Sequence, residues 1–245
     1  MKGFEPEHSF DEDVARTYDD VSLRGDEDAA VEFLAGLAGN RRTLELAIGT
    51  GRIALPLAAH GVSVEGIDIS GAMVARMRAK PGGDAIPVTI GNFRDVAVEG
   101  SYGLVYVVFN TLFNLLTQDD QVRCFQNVAQ HLEPRGRFVV EAFMPTFLYR
   151  LRDNQYVDAE HVGTGAVRLD VGRHDPVSQT LDESHVSISA AGVRLTPIVT
   201  RYAWPSELDL MARLAGLRLH GRWGGWNREP FAGDSRLHIS VWEKP

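Results

Sequence analysis

Glu45, Gly49, Gly51 and Asp68 stand at a spacing that implies chemistry. They belong to, or follow, the stretch LELAIGTGRIALPLA, Leu44 to Ala58. Here an apolar run ends in an acid, two glycines follow, and an apolar pattern of another period begins. That is how a buried strand turns sharply into a helix, at a turn that leaves room for a ligand and can adopt positive φ. In a parallel sheet such a turn lies beyond the carboxyl ends of the strands, where ligands settle. A dinucleotide, a nucleotide phosphate and S-adenosylmethionine all fit the pattern so far. GTGRIA satisfies the loose G-x-G-x-x-A dinucleotide fingerprint, and Asp68 follows by about twenty residues, as a ribose-binding acid would. A nicotinamide-dependent oxidoreductase is therefore one reading, and a nucleoside-binding protein without catalysis another. Glu45 argues against the oxidoreductase, because nucleotide dehydrogenases usually keep that strand apolar.

These residues need a scaffold. From Leu44 to Phe143 short apolar runs alternate with amphipathic segments, the mark of βαβ units. TLELAI, VSVEGIDI, IPVTIG, YGLVYVVFN and PRGRFVVEAF supply five strands, the fourth apolar on both faces and therefore central. RIALPLAAHG is a helix closed by Gly61, SGAMVARMRAK a helix capped by Ser70, and TQDDQVRCFQNVAQHL a helix capped by Thr117. Beyond Pro145 the helical period disappears. Residues 155–203 carry alternating strands joined by DPVS and AAG turns, an antiparallel insertion of three or four strands. PSELDLMARLAG is a last helix, and LRLHGRW and RLHISVWEK finish the sheet. The expectation is α/β: one doubly wound domain over residues 1–245, with a seven-stranded, mostly parallel Rossmann-like sheet. Its parts are an N-terminal helical lid (1–40), a ligand-binding core (41–150), the β insertion after the fifth strand (155–203) and a C-terminal helix with two strands (204–245).

LELAIGTG resembles the first motif of class I S-adenosylmethionine-dependent methyltransferases, an acid followed by x-G-x-G-x-G. Glu45 takes the acid position, Ala47 replaces the first glycine, and Gly49 and Gly51 match the others, with Thr50 and Arg52 completing the turn. GIDIS is similar to the second motif, in which Asp68 accepts bonds from the ribose hydroxyls and Ile69 and Met73 border the adenine; Met73 reads equally as helix core. IGNFRDV resembles the next motif, with Gly91 before Asn92 in the place of the adenine-binding acid and Phe93 beside the base. Phe109 and Asn110 would face the methionine part, and LEPRGRFVVEAF is similar to the run before the fifth strand. The resemblance spans Leu44 to Phe143. In pattern the chain is most similar to small-molecule natural-product methyltransferases, including those of amino sugars, whose β-rich insertion covers the substrate or forms a dimer. It implies S-adenosylmethionine as donor, methyl transfer to nitrogen or oxygen of a small molecule in specialised metabolism, and an insertion that either caps the substrate or forms a homodimer.

Methyl transfer from a sulfonium is an in-line displacement that needs alignment, and only a hydroxyl acceptor gains from a general base. Tyr18 and Arg24 match a lid that closes over the donor, Arg24 pairing with its carboxylate. Glu141, at the carboxyl end of the fifth strand, binds an acceptor amine, acts as base, or pairs with an arginine. Tyr18, Glu141 and His174 are the catalytic candidates; His174 and His185 lie on half-exposed strands of the insertion. Asn114, Trp223, Trp226 and Asn227 are candidates for the acceptor wall, the alternative for the tryptophans being a plug at the sheet edge. No metal is expected, since FNTLFNLL offers only Asn110 and Asn114 where metal-dependent relatives cluster carboxylates.

Bulk properties narrow the classes further. A net charge of −8 with a pI near 5.5 disfavours a nucleic-acid substrate. The single Cys124 excludes an intramolecular disulfide and suits a reducing compartment. The acidic N-terminus lacks a signal-like apolar core, and no run approaches the roughly 18 apolar residues of a membrane span, so a cytoplasmic location is expected.

Overall fold

The computed structural model describes Met1, Phe4, residues 9–21 and residues 24–245. Two helices, α1 (Glu12–Val21) and α2 (Glu27–Ala38), precede the core. Then come β1 (Thr43–Leu46), α3 (Ala54–Ala59), β2 (Val64–Asp68), α4 (Gly71–Arg78), β3 (Val88–Ile90), β4 (Tyr102–Val107), α5 (Gln118–His131) and β5 (Leu132–Phe143). The insertion contributes β6 (Gln155–Val162), β7 (Ala166–Asp175), β8 (Thr180–Ser189) and β9 (Gly192–Arg201). The chain ends with α6 (Pro205–Leu214), β10 (Arg218–Trp223) and β11 (Leu237–Glu243).

The main sheet has the order β10-β11-β5-β4-β1-β2-β3. Strands β1 to β5 run parallel, and β11 lies antiparallel between β5 and β10. The strand order reverses between β1 and β4, so the loops leaving those two strands flank the crevice where ligands bind in such sheets. The fold is Rossmann-like, with a separate antiparallel sheet β6-β7-β8-β9.

Alternation along the strands sorts side chains into two packed layers. Leu104, Tyr106, Val139, Ile239 and Val241 pack on the layer that holds α2 and α3. Val105, Val107, Phe138, Val140 and Trp242 pack on the layer that holds α5 and α6. By the same alternation Glu45 on β1 and Glu141 on β5 point toward the α2 layer. All six residues of β4 are buried, as expected of the central strand.

Local signals were obeyed where they were strong. Ser70 Oγ accepts from Met73 N–H and Thr117 Oγ1 from Asp120 N–H, each capping its helix. Helix α3 is shorter than its apolar pattern. Gly51 N–H donates to Ile48 O and Leu55 N–H to Gly51 O, so Arg52 and Ile53 belong to the turn, and positive φ at Gly61 closes the far end.

Candidate active site

The cleft opens where β1 and β4 diverge. It is lined by Tyr18, Glu45, Ala47, Gly49, Arg52 and Phe109 among others. The β1–α3 turn forms its floor. Gly49 has φ +58°, and a Cβ there would find nothing nearer than Met73 Cε at 3.4 Å, so its outer side is open. Gly51, at φ +75°, has a different reason: a Cβ would lie 2.6 Å from Met77 Cγ and 3.0 Å from Leu55 Cγ. Only Gly49 leaves ligand space; Gly51 lets α4 pack against the turn. Ala47 also takes positive φ, 56°, so the alanine in the first glycine position bears backbone strain as well as a methyl group.

Asp68 ties this floor together. One carboxylate oxygen accepts Gly49 N–H at 2.7 Å and the other accepts Ser70 N–H at 2.7 Å. Burial raises its pKa, and the two N–H bonds counter that. Each oxygen keeps a second lone pair for a ligand.

Glu45 is 3% exposed and accepts Tyr106 O–H at 2.8 Å. Burial pushes its carboxyl up to about 8, against the opposing effects of that bond and of the Arg52 charge. Arg52 lies over the Phe109 ring at 3.9 Å and donates to Tyr18 OH at 3.3 Å. Phe109 and Asn110, at φ 57° and 63°, form a strained pair at the end of β4. Asn110 Oδ1 accepts Phe143 N–H at 2.6 Å, which joins the ends of β4 and β5. Glu141 accepts Phe109 N–H at 2.7 Å and meets Arg24 Nη1 at 2.5 Å; burial raises its pKa and the Arg24 charge opposes the rise. The arginine pair is one of the three roles open to Glu141, and the other two concern a bound acceptor.

Helix α1 closes over this floor. Asp19 Oδ1 accepts Thr50 O–H at 2.5 Å, and its other oxygen pairs with Lys80 at 2.8 Å, while Lys80 also donates to Thr50 O. Ser70 O–H donates to Phe10 O at 2.5 Å. Burial raises the pKa of Tyr18, and Arg52 opposes it. Asp19, Lys80 and Tyr106 had no mark in the local sequence. Only Tyr106 could have been found, from strand alternation that turns it to the face of Glu45.

Other expected site residues sit differently. Asn92 Oδ1 accepts Arg94 N–H at 2.9 Å, so part of its acceptor capacity closes a local turn. Gly91 N–H bonds Asp68 O at 2.9 Å, holding β3 in register. Phe93 packs against the α5 layer, and Met73 is 3% exposed while Ile69 is 38% exposed. Asn114 is half-buried in the turn Thr111–Asn114.

The remaining candidates lie outside the lining of this cleft. Trp223 and Trp226 are not among the residues that line the cleft: each packs edge-on against Phe33 of α2 with centroids 5.4 Å apart. Asn227 is exposed and donates to Glu229 at 3.3 Å. His174 is buried rather than half-exposed; its Nε2 lies 3.1 Å from Tyr202 OH, away from the cleft, and burial lowers its pKa. His185 pairs with Asp170 at 2.6 Å, which raises its pKa.

Residues 43–136 match the family model described as a methyltransferase domain. The CcbJ methyltransferase of Streptomyces caelestis matches with a TM-score of 0.92 at 39% identity, over 98% of this chain and 99% of that one. The cypemycin N-terminal methyltransferase of a Streptomyces species is 28% identical over 211 residues, 83% of each chain. CalS10, an amino pentose methyltransferase of Micromonospora echinaspora bound to S-adenosylmethionine, has the same fold: TM-score 0.68 at 23% identity, over 94% of this chain and 95% of that one.

Proposed function

We propose that this chain, which belongs to the S-adenosylmethionine-dependent methyltransferases, methylates nitrogen or oxygen of a small molecule in specialised metabolism. The cleft suits the donor by its charges. Asp68 offers acceptors to a ribose diol beside the open face of Gly49. Glu45 can ionise against an ammonium, and Arg24 and Arg52, both over Phe109, can receive a carboxylate. When bound, S-adenosylmethionine supplies an electrophilic methyl on a sulfonium.

The chain's own work is alignment. The Gly49–Asp68 floor and the α1 clamp through Asp19 hold one reactant, and the strained Phe109–Asn110 pair shapes the wall where the acceptor approaches. Fixing two reactants in attack geometry supplies roughly 7–11 kcal/mol of the barrier. The observation that carries the reading is one cleft that gathers a buried acid of β1 and two arginines stacked on Phe109 at the end of β4. The names of the relatives, one an N-terminal and one an amino pentose methyltransferase, support a small-molecule or peptide amine as well as a hydroxyl.

Calorimetry with S-adenosylhomocysteine and with NADPH tests the donor. Binding of the former is expected, and binding of NADPH alone would sink the proposal. A methyl-transfer assay over amines, phenols and sugars then reads the acceptor, and activity on none of them would count against it.

A further inference from the structure

The side chain of Glu141 has no solvent exposure, yet its counter-ion Arg24 is 30% exposed. Arg24 sits in the connection between α1 and α2, where the Glu27 carboxylate accepts the backbone N–H groups of Arg24 and Gly25 at 2.8 Å each. The backbone is thereby pinned while the guanidinium reaches Glu141, with Asp26 at 3.1 Å and the Phe109 ring at 5.0 Å. Phe109 lines the cleft and gives its N–H to Glu141, so cleft, guanidinium and buried acid share one neighbour. A buried ion pair adds little to stability over apolar side chains of the same volume, whereas a buried carboxylate without its cation is strongly unfavourable. The pair therefore has little value as a staple, and its cation rides on a partly exposed side chain that stacks on Phe109 of the cleft wall.

We propose that Glu141 is the receptor for the protonated amine of the acceptor, and that Arg24 stands in for that amine in the free protein until donor binding draws its guanidinium toward the donor's carboxylate. This rests on reading the cleft as the donor site. It narrows the acceptor to an amine, since an alcohol brings no charge to replace the guanidinium. It also orders binding, donor before acceptor. Glu141 takes one proton from the ammonium, which leaves the nitrogen lone pair free; burial of the carboxyl favours that transfer. The lone pair forms the N–C bond as the S–C bond breaks, with that electron pair returning to sulfur. Glu141 then loses its proton to solvent as Arg24 returns.

The test uses methylammonium chloride as probe, with sodium chloride at equal ionic strength as control, and follows thermal midpoint and calorimetric heat. Arg24→Ala should bind methylammonium saturably, and Arg24→Ala combined with Glu141→Gln should bind it at least about tenfold more weakly, the factor expected for losing one charge-assisted bond. The unaltered protein should respond only when saturated with S-adenosylhomocysteine. Equal responses of the single and double variants would overturn Glu141 as receptor. A response of the unaltered protein that ignores S-adenosylhomocysteine would overturn the stand-in role of Arg24. Circular dichroism checks folding, and should Arg24→Ala unfold, Arg24→Gln removes the charge while keeping the stem. S-adenosylhomocysteine binding is measured on the same samples: its absence overturns the donor reading, while the comparison of the two variants still judges Glu141.

Discussion

Asp68 has two tasks that a single substitution separates. It bonds the N–H groups of Gly49 and Ser70, and its free lone pairs face the proposed ribose position. Asp68→Ala should weaken S-adenosylhomocysteine binding by about 1.5–3 kcal/mol, the scale of hydrogen bonds to a charged group. It should also lower the urea midpoint, because two N–H groups lose their partner. Unchanged affinity in calorimetry would remove Asp68 from the donor site. The two glycines diverge in the same way. Gly49→Ala and Gly51→Ala both carry the strain of positive φ, but only the second also meets Met77 and Leu55, so Gly51→Ala should lose more stability while Gly49→Ala should mainly weaken S-adenosylhomocysteine binding. Thermal unfolding and calorimetry on both variants check this contrast. Glu45 sets a pH dependence. Its pKa is about 8 in the fold against 4.5 ordinarily, so the folded state holds a proton that the unfolded state releases. Stability should fall as pH rises from 4.5 to about 8 and level off above, and Glu45→Gln should flatten that decline in urea titrations. An equal slope in the variant would mean Glu45 is not the source.

At the scale of elements, α1 is the moving part to test. It is held to the glycine turn by Asp19 through Thr50 and Lys80, and to α4 by Phe10 O on Ser70. Removing Asp19 takes away a hydrogen bond and an ion pair without touching the sheet. Asp19→Ala should speed amide exchange in α1 several-fold while β1 and β4 keep their protection, and it should weaken S-adenosylhomocysteine binding. Unchanged exchange in α1 would show that the clamp is not what holds the helix. Elements with local signals were legible: Ser70 and Thr117 cap their helices as the sequence reading expected, and the five parallel strands follow from their apolar runs. The length of α3 was not legible, because the turn's own hydrogen bonds absorb Arg52 and Ile53.

For the whole molecule, the antiparallel sheet raises the question of assembly. Val157 and Val171 are paired across β6 and β7, and Ile188 and Val193 across β8 and β9, on the face that Leu195 also shares. All five are exposed, from 38% for Val171 to 67% for Val193, a patch of a kind that monomers rarely show. A homodimer through this face is expected, and light scattering should give twice the 27.0 kDa chain mass. Leu195→Lys should return the mass to that of one chain, and an unaltered monomer would refute the arrangement. The sequence by itself determined the Rossmann-like order of elements, the glycine turn and the acid that ends β2, because alternation, capping and positive φ act within a few residues. Tertiary structure decided the rest. Tyr106 meets Glu45 from 61 positions away, Arg24 reaches Glu141, the two tryptophans turn to Phe33, and His174 is buried under Tyr202. Each is a meeting of side chains from separate elements. Strand pairing and helix packing select such partners; local alternation gives at most the face, as for Tyr106, and not the partner.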